Sequence, residues 1–159
     1  MLQPRLLRYL RVQSGEGCED IAAETWLQIV RDLPSFIGTA DGFRGWLFTV
    51  ARHRAIDAAR AKAARPVVPL ADVSSAKPAL APSAESEAME RLSTEQALAM
   101  VASLPSDQAE LVALRVIAGL DVAAVAQIVG KSPGAVRVSV HRGLRALSRD
   151  PRVQSAEVV

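Results

Sequence analysis

Residues 66–90 read PVVPLADVSSAKPALAPSAESEAME, and no other stretch constrains the fold as strongly. Pro66, Pro69, Pro78 and Pro82 each remove a backbone donor and block the continuation of a helix. Ala and Ser fill the space between them without apolar periodicity. The stretch therefore reads as a flexible Pro/Ala-rich linker that divides the chain into two blocks; the alternative is an ordered loop packed on one of them. The expected organisation is a domain over 1–65, a linker over 66–91, a second domain over 92–150 and a tail over 151–159.

Both blocks have helical patterns, so the expected fold is all-α, with two small helical domains. The chain is 50% hydrophobic but only 4% aromatic, with alanine carrying much of the apolar count. That composition suits alanine-rich helix contacts and argues against a barrel or sandwich of aromatic and β-branched strands. In the first block, Pro4–Val12 offers a short basic helix that Gly15 and Gly17 break. The run EDIAAETWLQIVRDL places Ile21, Trp26, Ile29, Val30 and Leu33 broadly on one side at helical spacing. Asp20 and Glu24 lie one turn apart beside that stripe. After the loop PSFIGTADG comes a long helix, FRGWLFTVARHRAIDAARAKAAR, with a basic second half of Arg52, Arg54, Arg60, Lys62 and Arg65.

The second block reads as about four helices. Thr94–Ser103 is the first. Ser106 or Asp107 would cap the next, Asp107–Ala118, with Gly119 after it. Asp121 would cap DVAAVAQIV, which ends at Gly130. The last is KSPGAVRVSVHRGLRALSR, where Ser132 is the N-cap and Pro133 the first helical residue. At about 100° per residue, Val136, Val140, Leu144 and Leu147 share one sector, with Gly143 at its edge. Arg137, His141 and Arg145 recur along the far side with Val138, Arg142 and Arg149. A short helix, a glycine turn and a basic second helix make a helix-turn-helix, whose second helix enters the DNA major groove. Arginine there binds guanine or phosphate, and Val138 is suited to a thymine methyl. The plainer alternative is an exposed basic helix that keeps the domain soluble.

A formal net charge of +2 excludes a uniformly basic coat but not a local one. With Cys18 as the only cysteine, an intramolecular disulfide and a cysteine-cluster zinc site are ruled out. His53 and His141 lie far apart in sequence without ligand partners at metal spacing. No run approaches the ~18 apolar residues of a membrane span, so no membrane insertion is expected. There is no nucleophile–base pair, phosphate loop or metal cluster, so neither an enzyme nor a cofactor is expected. The chain reads as a cytoplasmic protein.

The segment LPSDQAELVALRVIAGLDVAAVAQIVGKSPGAVRVSVHRGLRALSR resembles region four of bacterial RNA polymerase sigma factors, in particular the extracytoplasmic-function (ECF) group of the sigma-70 family. EDIAAETWLQIVRDLPSF resembles the polymerase-binding part of region two, and FRGWLFTVARHRAIDAAR its promoter −10 part. Both halves occur in family order with no region three between them. The resemblance implies a non-enzymatic factor that binds core RNA polymerase and directs promoter-specific initiation. It implies that Asp20, Glu24, Trp26 and Leu27 meet the polymerase, through the β′ clamp helices with further contacts to the β subunit. At helical spacing Trp26 is also expected in the core. It places −10 DNA on Arg52, His53, Arg54, Asp57 and Arg60, and −35 DNA on Ser132, Arg137, Val138, His141, Arg142 and Arg145. Asp57 suits a salt bridge that orients an arginine as well as a direct contact.

The sequence departs from the family pattern in places. His53 stands where many relatives carry Asn, Ala23 where they carry Gln, and Val138 where they usually carry Ser. Relatives also have some twenty more residues before RLLRYLR, so a start further upstream, or a truncated form, is expected. Family members are commonly held by an anti-sigma factor between their two domains, which a flexible linker permits. The competing readings are a sigma-like mimic and another helix-turn-helix regulator without initiation activity; the −10-like helix argues against the second.

Overall fold

The computed structural model describes residues 1–65 and 85–156. The first block holds α1 (Leu2–Ser14), α2 (Cys18–Asp32) and α3 (Ala40–Ala64), with short 3₁₀ turns at Gly15–Gly17 and Leu33–Ser35. The second holds α4 (Glu85–Ala102), α5 (Ser106–Val112), α6 (Val122–Val129), α7 (Pro133–Ser148) and α8 (Pro151–Ala156). No strand occurs among the described residues, and the chain is all-α as expected. The proposed linker falls largely on 66–84, outside the described residues. Its final part, 85–91, is already helix: α4 begins well before Thr94. Glu, Met and Ala are strong helix formers even without an apolar stripe, and Glu87 and Arg91 add an exposed pair one turn apart at 3.6 Å.

Local signals set several of the helix ends. Thr39 Oγ1 accepts from the Gly42 N–H at 3.2 Å, which starts α3 before Phe43. Asp121 Oδ1 accepts from Ala124 N–H at 2.8 Å, and Ser132 Oγ from Ala135 N–H at 3.2 Å, so both expected caps are in place. Gly130, with φ 71°, takes the left-handed turn between α6 and α7 that a side chain would strain. The cap expected at Ser106 or Asp107 is not there: Pro105 holds that position and makes no side-chain cap. α5 then runs into a π turn over Ala113–Ile117, closed by Ala118 N–H to Ala113 O at 2.9 Å. Beyond it the Arg115 guanidinium donates to Leu120 O at 2.8 Å.

The two blocks share one apolar core. α1 lies between them, packing on α2 and α3 and also on α4, α5 and the π turn, while α3 touches α6. Leu6, Tyr9 and Leu10 are fully buried, and the Tyr9 ring meets Phe48 edge-on at 5.5 Å. The same apolar cluster continues through Leu111, Leu114, Leu120, Val125 and Val136. A block of three helices buries little surface alone, and joining the two raises the buried fraction.

Two apolar stripes differ from the expected ones. α2 buries Cys18, Ile21, Ala22, Thr25 and Ile29, whereas Val30 and Leu33 are 67% and 48% exposed. Thr25 is accommodated because its hydroxyl donates to Ile21 O at 2.7 Å. On α7, Val136 and Gly143 are buried and Val140 and Leu147 partly so, while Leu144 is 43% exposed. Gly143 is the close-approach point against α5: a Cβ there would lie 2.8 Å from Val112 Cγ2.

Candidate nucleic-acid interface

α7 turns its buried seam to α5 and α6 and leaves the opposite arc in solvent. Arg137, Val138, His141, Arg142 and Arg145 all lie on that exposed arc, as the spacing requires. Val138 sits near its middle and is 49% exposed. Among the described residues, no carboxylate pairs with Arg137, Arg142 or Arg145, so their charge is available to a polyanion. Ser132 is exposed at the helix start with its hydroxyl oxygen on the cap. Its position beside the Gly134 N–H, the one left unused once Ala135 and Val136 donate to Ser132, is one where a phosphate oxygen can be received.

The five candidates on α3 do not form one surface. His53, Asp57 and Arg60 share an exposed stripe. Arg54 turns to α2 and donates to Gln28 Oε1 from Nε at 2.9 Å and from Nη2 at 2.6 Å. Arg52 turns to the second block, where its Nε pairs with Glu110 Oε1 at 2.5 Å, both side chains mostly buried. Tyr9 is buried next to this pair, and its hydroxyl has no hydrogen-bond partner among the described residues. Burial pushes the Tyr9 phenol far above its ordinary range; the Glu110 carboxylate adds to the rise and the Arg52 guanidinium opposes it. Around the start of α3, Phe36 stacks on Trp46 at 4.9 Å and Phe43 meets both edge-on, so Trp46 is a half-buried member of an aromatic cluster.

On α2, Asp20, Glu24 and Leu27 are exposed together, with Ala23 and Val30 on the same side. Leu27 is 66% exposed. Trp26 is not part of this face: it is half-buried, and its indole N–H donates to Gln3 Oε1 on α1 at 2.5 Å. The structure thus joins three of the four candidates here and adds Val30 and Leu33, which helical spacing had assigned to the core. Their exposure was not readable locally, because the sector of α2 that turns inward depends on where α1 and α3 lie. Glu110 was missed for a similar reason: nothing near it in sequence marks a partner on α3. Among the described residues no group of three potential metal ligands occurs, and no helix is long and apolar enough to cross a membrane.

Residues 1–65 match the family profile described as Sigma-70 region 2, and residues 94–147 the one described as Sigma-70, region 4. The chain is 33% identical over 156 residues to the ECF RNA polymerase sigma factor ShbA of Streptomyces griseus, covering 92% of this chain and 81% of that protein. It is 32% identical over 152 residues to the ECF RNA polymerase sigma factor SigD of Mycobacterium tuberculosis, covering 92% and 71%. Among solved structures, the fold is similar to that of the sigma factor RpoE of Bartonella quintana, determined in complex with the anti-sigma factor NepR. That similarity has a TM-score of 0.66 at 19% identity, over 92% of this chain and 89% of that one. A capped helix-turn-helix with a free basic face, behind a block that carries the second family region in the family's order, leaves one conclusion: the chain belongs to the ECF group of sigma-70 family RNA polymerase sigma factors, the DNA-binding factors of transcription initiation.

Proposed function

We propose that the chain performs promoter-directed initiation through three surfaces. The outer face of α2, with Asp20, Glu24, Leu27 and Val30, docks on core polymerase at the β′ clamp helices; further contacts reach the β subunit. Acidic groups beside exposed aliphatic ones suit a partner helix that carries both basic and apolar residues. Trp26 supports this face by tying α2 to α1. The stripe His53, Asp57 and Arg60 on α3, joined by Arg52 and Arg54 when their partners release them, holds the −10 strand. Unstacked bases there would be captured and the backbone neutralised. The exposed arc of α7 reads −35 DNA, with Ser132 and the arginines on phosphates and bases and Val138 on a thymine methyl. Residues 1–65 and 92–150 are the two functional units, with 66–91 between them and 151–159 as a tail.

The observation that carries this reading is the free basic arc of α7 on the same chain as the exposed acidic and aliphatic face of α2. A DNA-binding regulator alone requires only the first. The proposed setting is the cytoplasm, where polymerase is, and the role is non-enzymatic. An anti-sigma factor is a further proposed partner, by analogy with the RpoE–NepR pair. The deciding experiment adds the purified chain, and a Leu27→Asp variant, to core polymerase with a library of promoter fragments. We expect the native chain to bind core and start transcription at a subset of fragments, and Leu27→Asp to lose core binding. No core binding by the native chain removes the sigma reading; binding without promoter-dependent starts favours a sigma-like mimic.

A further inference from the structure

Beside the Arg52–Glu110 pair lies a cleft of about 150 Å³ between α1, α3 and α5. Tyr9 and Gln13 of α1, Arg52 of α3 and Glu110 of α5 form its polar lining, and Ala55 and Ala59 of α3 supply part of its apolar wall. The room comes from the sequence. Ala55 and Ala59 are one turn apart on one face of α3, so two methyl groups stand where longer side chains would close the space. Ala55 is buried and Ala59 exposed, so the cleft runs inward from solvent past Ala59.

The lining has hydrogen-bonding capacity that the fold does not use. Tyr9 is fully buried, and its hydroxyl has no hydrogen-bond partner among the described residues. A buried hydroxyl left unpaired is unfavourable, and native folds leave few of them. Burial also holds the Tyr9 phenol far above its ordinary range, so at neutral pH it remains an O–H donor. The ion pair is joined by one bond, from Arg52 Nε to Glu110 Oε1. Both Arg52 Nη groups and Glu110 Oε2 have no hydrogen-bond partner among the described residues. The Gln13 amide can both donate and accept.

These groups select a ligand by charge and by bonding pattern. A cation is repelled by the Arg52 guanidinium and an anion by the Glu110 carboxylate, so a neutral ligand is favoured. One carbon that bears both a carbonyl oxygen and an N–H₂ group matches the unused atoms. The oxygen receives the Tyr9 hydroxyl and an Arg52 N–H, and the N–H₂ group donates to Glu110 Oε2. A space of this volume holds a small ring, on the order of six to nine non-hydrogen atoms. We propose that the cleft formed by Tyr9, Gln13, Arg52 and Glu110 is a binding site for a small neutral primary carboxamide, whose ring or short apolar stem lies along Ala55 and Ala59. The site does not depend on what α3 and α7 bind.

The test titrates the full chain with nicotinamide, a carboxamide on a ring of matching size, and with nicotinate, the same ring bearing a carboxylate. Backbone amide NMR reads the binding, and circular dichroism verifies that each variant is folded. Nicotinamide should shift the signals of Tyr9, Gln13, Ala55 and Ala59 and saturate with a Kd on the order of 1 mM, as suits a ligand of so few atoms. Nicotinate should bind at least about tenfold more weakly, because it brings a second carboxylate to Glu110. Tyr9→Phe, which removes only the hydroxyl, should weaken nicotinamide by about fivefold to tenfold. Ala59→Leu, a change at the exposed mouth that fills the cleft, should abolish the shifts. Glu87→Gln, on the exposed side of α4, should bind as the native chain does. A native chain that shows no shifts, shifts that persist in Ala59→Leu, or nicotinate bound as tightly as nicotinamide would each overturn the site. So would a folded Tyr9→Phe variant with native affinity; if that variant does not fold, Ala59→Leu and nicotinate decide.

Discussion

Val138 is the residue whose role the fold most sharpens. An aliphatic side chain half in solvent, centred among arginines, contributes little to the core, so truncation should leave stability nearly unchanged. Val138→Ala should shift the preferred −35 sequence at one thymine-bearing position, by about 1 kcal/mol of discrimination or somewhat more. Arg142→Ala should lower transcription from −35-dependent promoters more strongly. Sequencing of start sites from a randomised −35 library checks both, and an unchanged base profile for Val138→Ala would refute the thymine contact. A second residue-level expectation concerns Asp150, just past α7. Two bonds from the Arg152 guanidinium and one from its backbone N–H hold the Asp150 carboxyl at about 2, below its usual 3.8. Because the folded value is depressed, the stabilisation is complete above about 3.8 and is lost as pH falls through about 2. Carboxyl-carbon NMR should follow that low midpoint; an ordinary midpoint would show that Arg152 does not hold the group in solution.

Helices α6 and α7 were legible because their signals are local. Asp121, Gly130, Ser132 and Pro133 each act within a turn of their own position, and a cap or left-handed glycine does not depend on distant packing. The start of α4 was not legible, since ESEAME has propensity without an apolar stripe. Nor was the π turn after α5, which arises where the end of the helix meets α1. The α7 stripe was nearly right: Gly143, placed at its edge, is at its centre, and Leu144 lies outside. The two mid-helix glycines should therefore respond in opposite directions to alanine. Gly45 on α3 has open space, so Gly45→Ala should gain about 0.8–1 kcal/mol from helix propensity. Gly143→Ala gains the same propensity but drives a methyl into Val112, a buried branched side chain with little rotamer freedom. Overpacking of about 1–3 kcal/mol should outweigh the gain and lower the Tm. Urea denaturation of the two variants decides the sign of each.

For the molecule as a whole, the sequence marked two blocks and their order but not their joint. Arg52 and Glu110 are 58 positions apart, and nothing near either of them in sequence marks the other as its partner. Pairing at that separation is decided by tertiary packing, which no local rule reports. The shared core has a consequence for unfolding. If the blocks melted independently, calorimetry would show two transitions; the continuous cluster from Leu6 to Val136 predicts one, with calorimetric and van't Hoff enthalpies in agreement. Glu110→Gln should broaden or split that transition. A split transition in the native chain would mean that the joint is too weak to couple the blocks.

The position of α1 between the blocks also bears on how the chain is made. Arg5 meets the carbonyl of Ala118 across 113 positions, so α1 leaves the ribosome long before the segment that completes its surroundings. Until then Leu6, Tyr9 and Leu10 have α2 and α3 as partners but lack the cover from α5 and the π turn. Closing so long a loop is slow relative to local helix formation. The nascent first block therefore passes through a period with an uncovered apolar edge and an unpaired Arg52. In that interval other proteins can compete for the same edge before the chain can close on itself.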